Sequence, residues 1–213
     1  MVEIIIISYN QPELARRCVQ SVIDYTDLPY HLTLYDNAKS KENLGHLWNR
    51  LIRRSEAEYI CLLNDDTMVE REWLKKLREV FDKEVNVGAV GPVTNASSNP
   101  QSSYYPSKER DIIDFCYLHN NWCLSGFCLI FKKDLFEKLG GFPEDFGFYG
   151  QETAFLDKMR KTGWRQMLRK DVFIWHYGSA SAKKAESLGQ FDKEVEKKKS
   201  RERIERLRNE NLL

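Results

Sequence analysis

Short apolar segments alternate with amphipathic segments along the first 95 residues, and this alternation constrains the fold more than any other sequence feature. Residues 2–7 form a β-branched run interrupted only by Glu3, which is typical of a strand buried on both faces. Similar patterns recur at residues 31–35, 59–63 and 87–93, and the intervening apolar side chains follow helical spacing. Because repeated strand–helix–strand units need right-handed crossovers, we predict an α/β fold with a mostly parallel sheet and helices on both faces.

Polar residues directly follow the first three predicted strands. They are Ser8, Tyr9 and Asn10 after the first strand, Asp36 and Asn37 after the second, and Asn64, Asp65 and Asp66 after the third. In open parallel sheets, ligands bind beyond the carboxyl ends of the strands. The sequence therefore predicts a ligand site at this edge of the sheet.

The second half of the chain differs from the first in composition and in its pattern of predicted elements. Residues 94–110 are rich in Ser, Asn, Pro and Tyr, and they predict a long loop that could order as a lid when a ligand binds. We expect strands at residues 122–131 and 172–175 and a helix at residues 153–161. From residue 183 onwards Lys, Glu and Arg dominate, which predicts a charged, solvated helix along one edge; contact of its basic residues with an anionic membrane is the alternative.

Composition excludes several classes of protein. The 33 basic and 32 acidic side chains give a net charge of +1, so we expect no nucleic-acid partner. No apolar run approaches the roughly 18 residues that cross a bilayer, and residues 4–7 are too short for a signal peptide, so we expect a cytoplasmic protein. The five cysteines include no Cys-x-x-Cys pair, which favours buried thiols over a zinc site.

Asp65 and Asp66 form a pair of adjacent carboxylates at a strand end. Two such charges repel each other unless a cation or hydrogen-bond donors compensate them. Mg²⁺ and Mn²⁺ prefer oxygen ligands and are natural partners for this pair. The alternative is that the two aspartates only cap a helix beginning near Glu70.

Further short motifs follow in order along the chain. They are SYN at 8–10, DN at 36–37, ENLG at 42–45 with Asn49, LNDD at 63–66, LSGF at 124–127, LGGFPE at 139–144, GQETAF at 150–155 and WHYGS at 175–179. Over residues 2 to about 182, this series resembles the family 2 glycosyltransferases of the GT-A fold, in particular their rhamnosyltransferase-like branch. The resemblance implies a GT-A-type, Rossmann-like sheet. We expect one domain at 1–182, with a nucleotide-binding half (1–95) and an acceptor half (96–182), and a charged helical extension at 183–213.

The resemblance also implies an activity. It implies an inverting transfer of a sugar from a nucleotide-diphosphate sugar to a glycan, lipid-linked or protein hydroxyl, with UDP- or dTDP-linked donors favoured. Mn²⁺ or Mg²⁺ held by Asp66 and His176 would offset the charge of the leaving diphosphate, and Glu152 would be the general base. The implied nucleotide-binding residues are Ser8, Tyr9, Asn10, Asp36, Asn43, Asn64 and Asp65.

Acceptor-site candidates come from the second half of the chain. Gly126 and Gln151 lie in motifs that resemble the family's acceptor site, and Trp122 and Tyr149 are aromatic residues on which a sugar ring could stack. The chain departs from the family pattern where Gln151-Glu152 replaces Glu-Asp and where Pro143 replaces an acidic residue.

Four alternatives stay open at the level of sequence. Glu152 could be only an acidic residue in the first turn of a helix, and His176 only a core histidine. The whole chain could be a catalytically degenerate binding or scaffold protein, for which Gln151 and Pro143 are the best support. A sugar nucleotidyltransferase is less favoured, because no glycine-rich loop follows the first strand.

Overall fold

The computed structural model describes residues 1–108, 111–119, 122–190 and 192–210. Its strands are β1 (Val2–Ser8), β2 (Tyr30–Asp36), β3 (Tyr59–Asn64), β4 (Thr67–Met68), β5 (Val87–Thr94), β6 (Ile112–Asp114), β7 (Cys128–Lys132) and β8 (Arg165–His176). Its helices are α1 (Pro12–Tyr25), α2 (Leu44–Arg54), α3 (Trp73–Lys83), α4 (Phe115–Leu118), α5 (Lys133–Lys138), α6 (Gln151–Lys161), α7 (Ala180–Ser187) and α8 (Lys193–Asn209).

The strands form one mixed sheet in the order β2-β1-β3-β7-β5-β8-β4, with β6 also paired to β8. Strands β1, β2, β3, β5 and β8 run in the same direction, whereas β7 is inserted antiparallel between β3 and β5. The short strands β4 and β6 are antiparallel to β8. The predicted α/β fold with a mostly parallel sheet is confirmed.

Alternation along the central strands divides the core into two layers. Ile4 and Ile6 of β1 pack with residues of α1 and α3 on one face, while Ile5 packs with residues of α2, α5 and α6 on the other. Burial on both faces explains why β1 is apolar at nearly every position. Glu3 is the exception, and its carboxylate accepts hydrogen bonds from Thr33 Oγ1 at 2.7 Å and Ser55 Oγ at 3.1 Å.

Helix α2 fixes the segment that leads from α5 to α6. The Asn49 side chain is buried; its Nδ2 donates to the Phe142 carbonyl (2.8 Å) and to Glu144 Oε1 (2.7 Å), and its Oδ1 accepts from the Phe142 N–H (2.8 Å). Gly45 allows the close approach, because a Cβ there would overlap the Pro143 carbonyl oxygen. The segment is therefore held in place on its way to the sheet edge.

Several predicted elements differ in extent from those observed. The strand predicted at 122–131 is regular only in β7, because the buried chain before it is held by side chains: Leu124 N–H donates to Gln166 Oε1 (3.0 Å) and Ser125 N–H to Gln101 Oε1 (2.6 Å). The strand predicted at 172–175 is the end of the 12-residue β8. Residues 95–108 are mostly irregular, as predicted, and the last two residues of the predicted loop lie outside the described residues. All five cysteines are buried free thiols, which confirms that expectation.

The C-terminal helix packs onto the body of the protein, over α6. Ile204 packs with Phe146 and Ala154, and Leu207 adds to this small cluster. The Arg208 guanidinium also pairs with the buried Asp157 carboxylate of α6 at 2.5 Å. The charged C-terminal helix expected along one edge is present as α8, and α6 is the element on which it packs. In the described residues, no helix combines the length and the apolar character that a bilayer crossing needs.

Candidate active site

An open cleft of about 1460 Å³ lies at the edge of the sheet where β1 and β3 end. The end of β8, the turn before α6 and one side of α8 also line it. This is the edge at which the sequence places its polar residues, because parallel strands bring their carboxyl ends together.

Asp65 and Asp66 are buried at the bottom of the cleft, at 4% and 2% exposure. Asp66 Oδ1 lies 3.1 Å from His176 Nε2, and Asp66 Oδ2 accepts the Ala180 N–H at 2.8 Å. Asp65 accepts the Ser181 hydroxyl at 3.1 Å and the Tyr9 N–H at 3.3 Å. The first turn of α7 thus compensates both carboxylates.

His176 is oriented so that its second ring nitrogen faces Asp66. Its Nδ1 lies 2.9 Å from the Ala96 carbonyl oxygen, which only a protonated Nδ1 can satisfy. The Phe127 ring stacks on the imidazole with centroids 5.3 Å apart. In the neutral ring the buried Nε2 atom then carries a lone pair, and it lies 3.1 Å from the acceptor atom Asp66 Oδ1. Two facing acceptors need a cation between them, either a proton or a metal ion.

The environment separates the proton affinities of the two aspartates. Burial, followed by the charge of Asp66, raises the pKa of Asp65 to about 6. Burial also acts to raise the pKa of Asp66, but the contact with the His176 ring and the Ala180 N–H outweigh it, so the pKa of Asp66 is lowered. Asp66 is therefore the carboxylate that stays ionised beside His176.

Glu152 lies in the first turn of α6, in the cleft wall. Burial of its carboxyl group raises the pKa of Glu152 above the ordinary glutamate value. Gly126 makes room for it, because a Cβ at position 126 would come within 3.1 Å of Glu152 Cγ. Gly150, with φ of 107°, allows the turn into the helix, and a side chain there would overlap Ser200 Oγ of α8.

The structure brings most of the predicted site residues to this cleft. The predicted site residues that line the cleft are Tyr9, Asn43, Asn64, Asp65, Asp66, Trp122, Gly126, Tyr149, Glu152 and His176. Asn43 has a structural task as well: its Oδ1 caps α2 by accepting the His46 N–H at 3.1 Å, and its Nδ2 donates to the Phe146 carbonyl at 2.5 Å.

Four predicted residues lie off the lining of the cleft. Ser8 is buried, Asn10 occupies a tight turn with φ of 56°, and exposed Asp36 accepts the Ala38 N–H at 2.9 Å. Gln151 is fully buried, and its Nε2 donates to the Gly147 carbonyl. At the end of β2 it is Asn37, the neighbour of Asp36, that reaches the cleft.

Sequence reasoning did not assign two other parts of the cleft. One is the start of α7, where Ser181 contacts Asp65; a lone serine after a predicted strand carries no signal for this contact. The other is α8, from which Lys193, Lys197 and Arg201 line the cleft. Their spacing of four residues, which places them on one helix face, could have indicated a shared surface.

Comparison with known proteins relates the chain to glycosyltransferases. Residues 39–140, a little under half of the chain, match the family model for Glycosyl transferase family 2. Among curated protein sequences, no match is found. Solved structures that share the fold include GalNAc-T7 with UDP, GalNAc and Mn²⁺ (TM-score 0.67, 12% identity, covering 83% of this chain and 43% of that one). A second is S. aureus TarS 1-349 (TM-score 0.64, 14% identity, covering 82% of this chain and 60% of that one). A third is the mannosyltransferase PcManGT from Pyrobaculum calidifontis with GDP-Man and Mn²⁺ (TM-score 0.61, 18% identity, covering 82% of this chain and 56% of that one).

At these identities the likeness establishes the fold. The chain spans about half the length of the solved structures it matches. Its fold is that of the GT-A glycosyltransferases. Within that fold, residues 39–140 match a family 2 glycosyltransferase domain.

Proposed function

We propose that the protein is an inverting, metal-dependent glycosyltransferase that uses a nucleotide-diphosphate sugar. The observation that carries the proposal is the buried pair formed by Asp66 Oδ1 and His176 Nε2, 3.1 Å apart in the cleft. Glu152 on another part of the same cleft supplies a carboxylate that can take a proton.

The residues at this pair fit a divalent cation. Among the described residues no group of three or more His, Cys, Asp or Glu side chains is placed to hold a metal alone. Asp66 and His176 would hold Mn²⁺ or Mg²⁺, with water and substrate phosphates completing the coordination shell, as these ions commonly require. When bound, the ion would offset the negative charge on the leaving diphosphate. Ala96 would keep the His176 ring in the ligating tautomer.

The nucleotide part of the donor is assigned to the ends of β1, β2 and β3. Tyr9, Asn43, Asn64 and Asp65 line the cleft there, and Asn37 joins them. We propose a UDP- or dTDP-linked donor; structures with the same fold contain UDP or UDP-GlcNAc, and one contains GDP-Man. The rhamnosyltransferase-like branch is supported by the sequence motifs alone.

Glu152 is proposed as the general base. In an inverting transfer, the acceptor oxygen forms a bond to the anomeric carbon while the bond from that carbon to the phosphate oxygen breaks. The acceptor hydroxyl proton would pass to the Glu152 carboxylate. A raised pKa brings this carboxylate nearer the working pH, where a base combines ionisation with proton affinity. Trp122, Tyr149 and Gly126 line the same cleft and would face the sugar or acceptor.

A non-enzymatic binding protein is the second candidate, and one observation favours it. Ala180 and Ser181 already satisfy oxygens of Asp66 and Asp65, so α7 could close a cleft that no longer performs catalysis. Such a protein would bind a nucleotide or glycan without turnover.

Titration calorimetry with UDP, dTDP and GDP, each with Mn²⁺ and then with EDTA, tests the proposal. We expect one nucleotide to bind, and to bind only with the metal. The matching nucleotide sugars are then assayed for hydrolysis or transfer. Nucleotide binding without any turnover would favour the binding protein, and binding of none of the three would contradict the transferase.

A further inference from the structure

One face of α8 presents a row of cations to the cleft. Lys193, Lys197 and Arg201 follow each other at intervals of four residues and all line the cleft. Four residues of α-helix rise about 6 Å, so the row extends for about 12 Å. The three side chains therefore form one continuous surface, which we call the basic stripe.

Most of the charge of the basic stripe is not neutralised. In the described part of the chain, no carboxylate lies within ion-pair distance of Lys193 or Arg201. Lys197 pairs with Glu194 at 3.4 Å, but the Glu194 side chain is 77% exposed, and exposed pairs of this kind contribute little. Glu205 continues the row and also lines the cleft but forms no ion pair with Arg201 in the described residues, and Arg208 is committed to Asp157. The stripe is therefore available to an anion.

The position of α8 places the stripe near the proposed base. Ser200 packs against Gly150, the residue that begins the turn into α6, and Glu152 follows two residues later. Ile204 and the Arg208–Asp157 pair anchor the helix on α6 itself. The Asp66–His176 pair lies instead where β3 and β8 end, beneath α7. The cleft thus has an acidic floor and, beside Glu152, a basic wall.

We propose that the basic stripe binds a phosphate group carried by the acceptor. The inference rests on the proposed glycosyltransferase function and specifies its acceptor class: a hydroxyl compound with a phosphate or phosphodiester near the accepting group. Bringing such an anion into a cleft that already holds Asp65, Asp66 and Glu152 requires compensating positive charge, and the stripe supplies it on the Glu152 side. A soluble sugar phosphate and a lipid-linked phosphate share this chemistry.

The probe for this site is glucose 6-phosphate, with glucose as the uncharged comparison. Each is titrated into the full chain without and with UDP and Mn²⁺, and the titrations are repeated at higher salt. We compare the stripe variant K193Q/K197Q/R201Q with the control variant R16Q/K138Q/K198Q. The control removes the same charge from side chains outside the basic stripe that are 69–75% exposed. Neither variant touches the residues that anchor α8.

Glucose 6-phosphate should bind the wild type more tightly than glucose, and the difference should shrink with salt. The stripe variant should weaken glucose 6-phosphate binding about tenfold, whereas the control variant should change it less than about twofold. Equal losses in both variants, no loss in the stripe variant, or displacement of glucose 6-phosphate by UDP and Mn²⁺ would each overturn the proposal. Displacement would assign the stripe to the donor diphosphate.

Vesicles of phosphatidylglycerol and of phosphatidylcholine separate the two sources of phosphate. If a lipid phosphate enters the cleft, the stripe variant should lose binding to phosphatidylglycerol vesicles and to glucose 6-phosphate alike. Loss of vesicle binding without any glucose 6-phosphate binding would make the stripe a membrane surface and contradict the proposal. Stripe-dependent sugar phosphate binding in a protein that binds no nucleotide would refute the proposed transferase while supporting the anion site.

Discussion

The floor of the cleft and its α8 wall are held in place by different means. Asp66 and His176 follow or end strands of a sheet that is buried on both faces. Helix α8 is held mainly by Ile204 and Leu207 and by ion pairs such as Arg208–Asp157. The groups proposed to hold the metal ion therefore lie at the ends of strands that are buried on both faces. The groups proposed to bind the phosphate of the acceptor lie on α8, which packs on the rest of the protein through a small cluster and ion pairs.

Replacing the proposed base should produce the largest change in activity. Glu152→Gln keeps the size of the side chain but removes its capacity to take a proton, so transfer should fall about 10²–10⁴-fold. Nucleotide binding with Mn²⁺ should stay unchanged, because Glu152 is not among the residues assigned to the donor. Glu56→Gln, at an exposed carboxylate outside the cleft lining, is the matched control. Full activity of Glu152→Gln would remove Glu152 from the mechanism.

The same variant has an effect on stability with a defined sign. Because the folded state raises the pKa of Glu152, folding favours its protonated form. The wild type should therefore lose stability relative to Glu152→Gln as the pH rises above the ordinary glutamate value of about 4.3. Thermal unfolding of both proteins from acidic to neutral pH checks this. A constant difference across the range would show that burial does not perturb the carboxyl group.

A pair of core substitutions compares the two regions directly. Phe155 of α6 is buried and packs against Phe131, Phe136 and Phe142, so Phe155→Ala should lower the free energy of unfolding by about 3–5 kcal/mol. Leu207→Ala in α8 should cost about 1 kcal/mol, because Leu207 is only partly buried. Denaturant unfolding measures both. Equal losses would mean that α8 belongs to the core as fully as α6 does.

Removing the Arg208–Asp157 ion pair should destabilise α8 without destabilising the sheet. Arg208→Gln removes one partner of the buried Asp157, which keeps Arg160 at 3.3 Å. Because the Arg160–Asp157 pair remains, the free energy of unfolding should fall by about 1–2 kcal/mol, less than for a fully unpaired buried charge. Amide hydrogen exchange should speed up in α8 and stay unchanged in β1 and β3. Lys198→Gln, on the exposed side of the same helix, is the control.

The smallest effect on activity is expected at the contact between Gly126 and Glu152. In Gly126→Ala the new Cβ would press on Glu152 Cγ at 3.1 Å and displace the carboxylate slightly. Transfer should fall about tenfold, which corresponds to about 1.4 kcal/mol, while metal-dependent nucleotide binding stays unchanged. A normal turnover rate would show that the position of Glu152 is not critical, and Ser125→Ala serves as the neighbouring control.

Much of the fold was predictable from local pattern. Strands β1, β3 and β5 lie in the buried centre of the sheet, so their apolar runs identify them. Strand β8 was recognised only in its last part, because charged residues such as Arg169 and Asp171 interrupt its pattern and are compensated by pairing with each other. Strands β4 and β6 contain two and three residues, too few to show any periodicity.

The site was predictable where strand ends define it and unpredictable where tertiary packing does. Asp66 and His176 follow or end strands and carry recognisable neighbours, and the structure brings them together. The docking of α8 depends on a three-residue cluster with Phe146 and Ala154, for which the charged sequence of the helix gives no local signal. Similarly, the capping of Asp65 by Ser181 joins positions 116 residues apart.

Electron spin echo spectroscopy of bound Mn²⁺ tests whether Asp66 and His176 hold the metal ion. With UDP present, the wild type should show modulation from one imidazole ¹⁴N. His176→Ala should abolish that modulation, whereas His46→Ala, at an exposed histidine outside the cleft lining, should retain it. Tight Mn²⁺ binding with no nitrogen coupling in the wild type, or with the coupling unchanged in His176→Ala, would show that His176 is not a ligand of the metal ion.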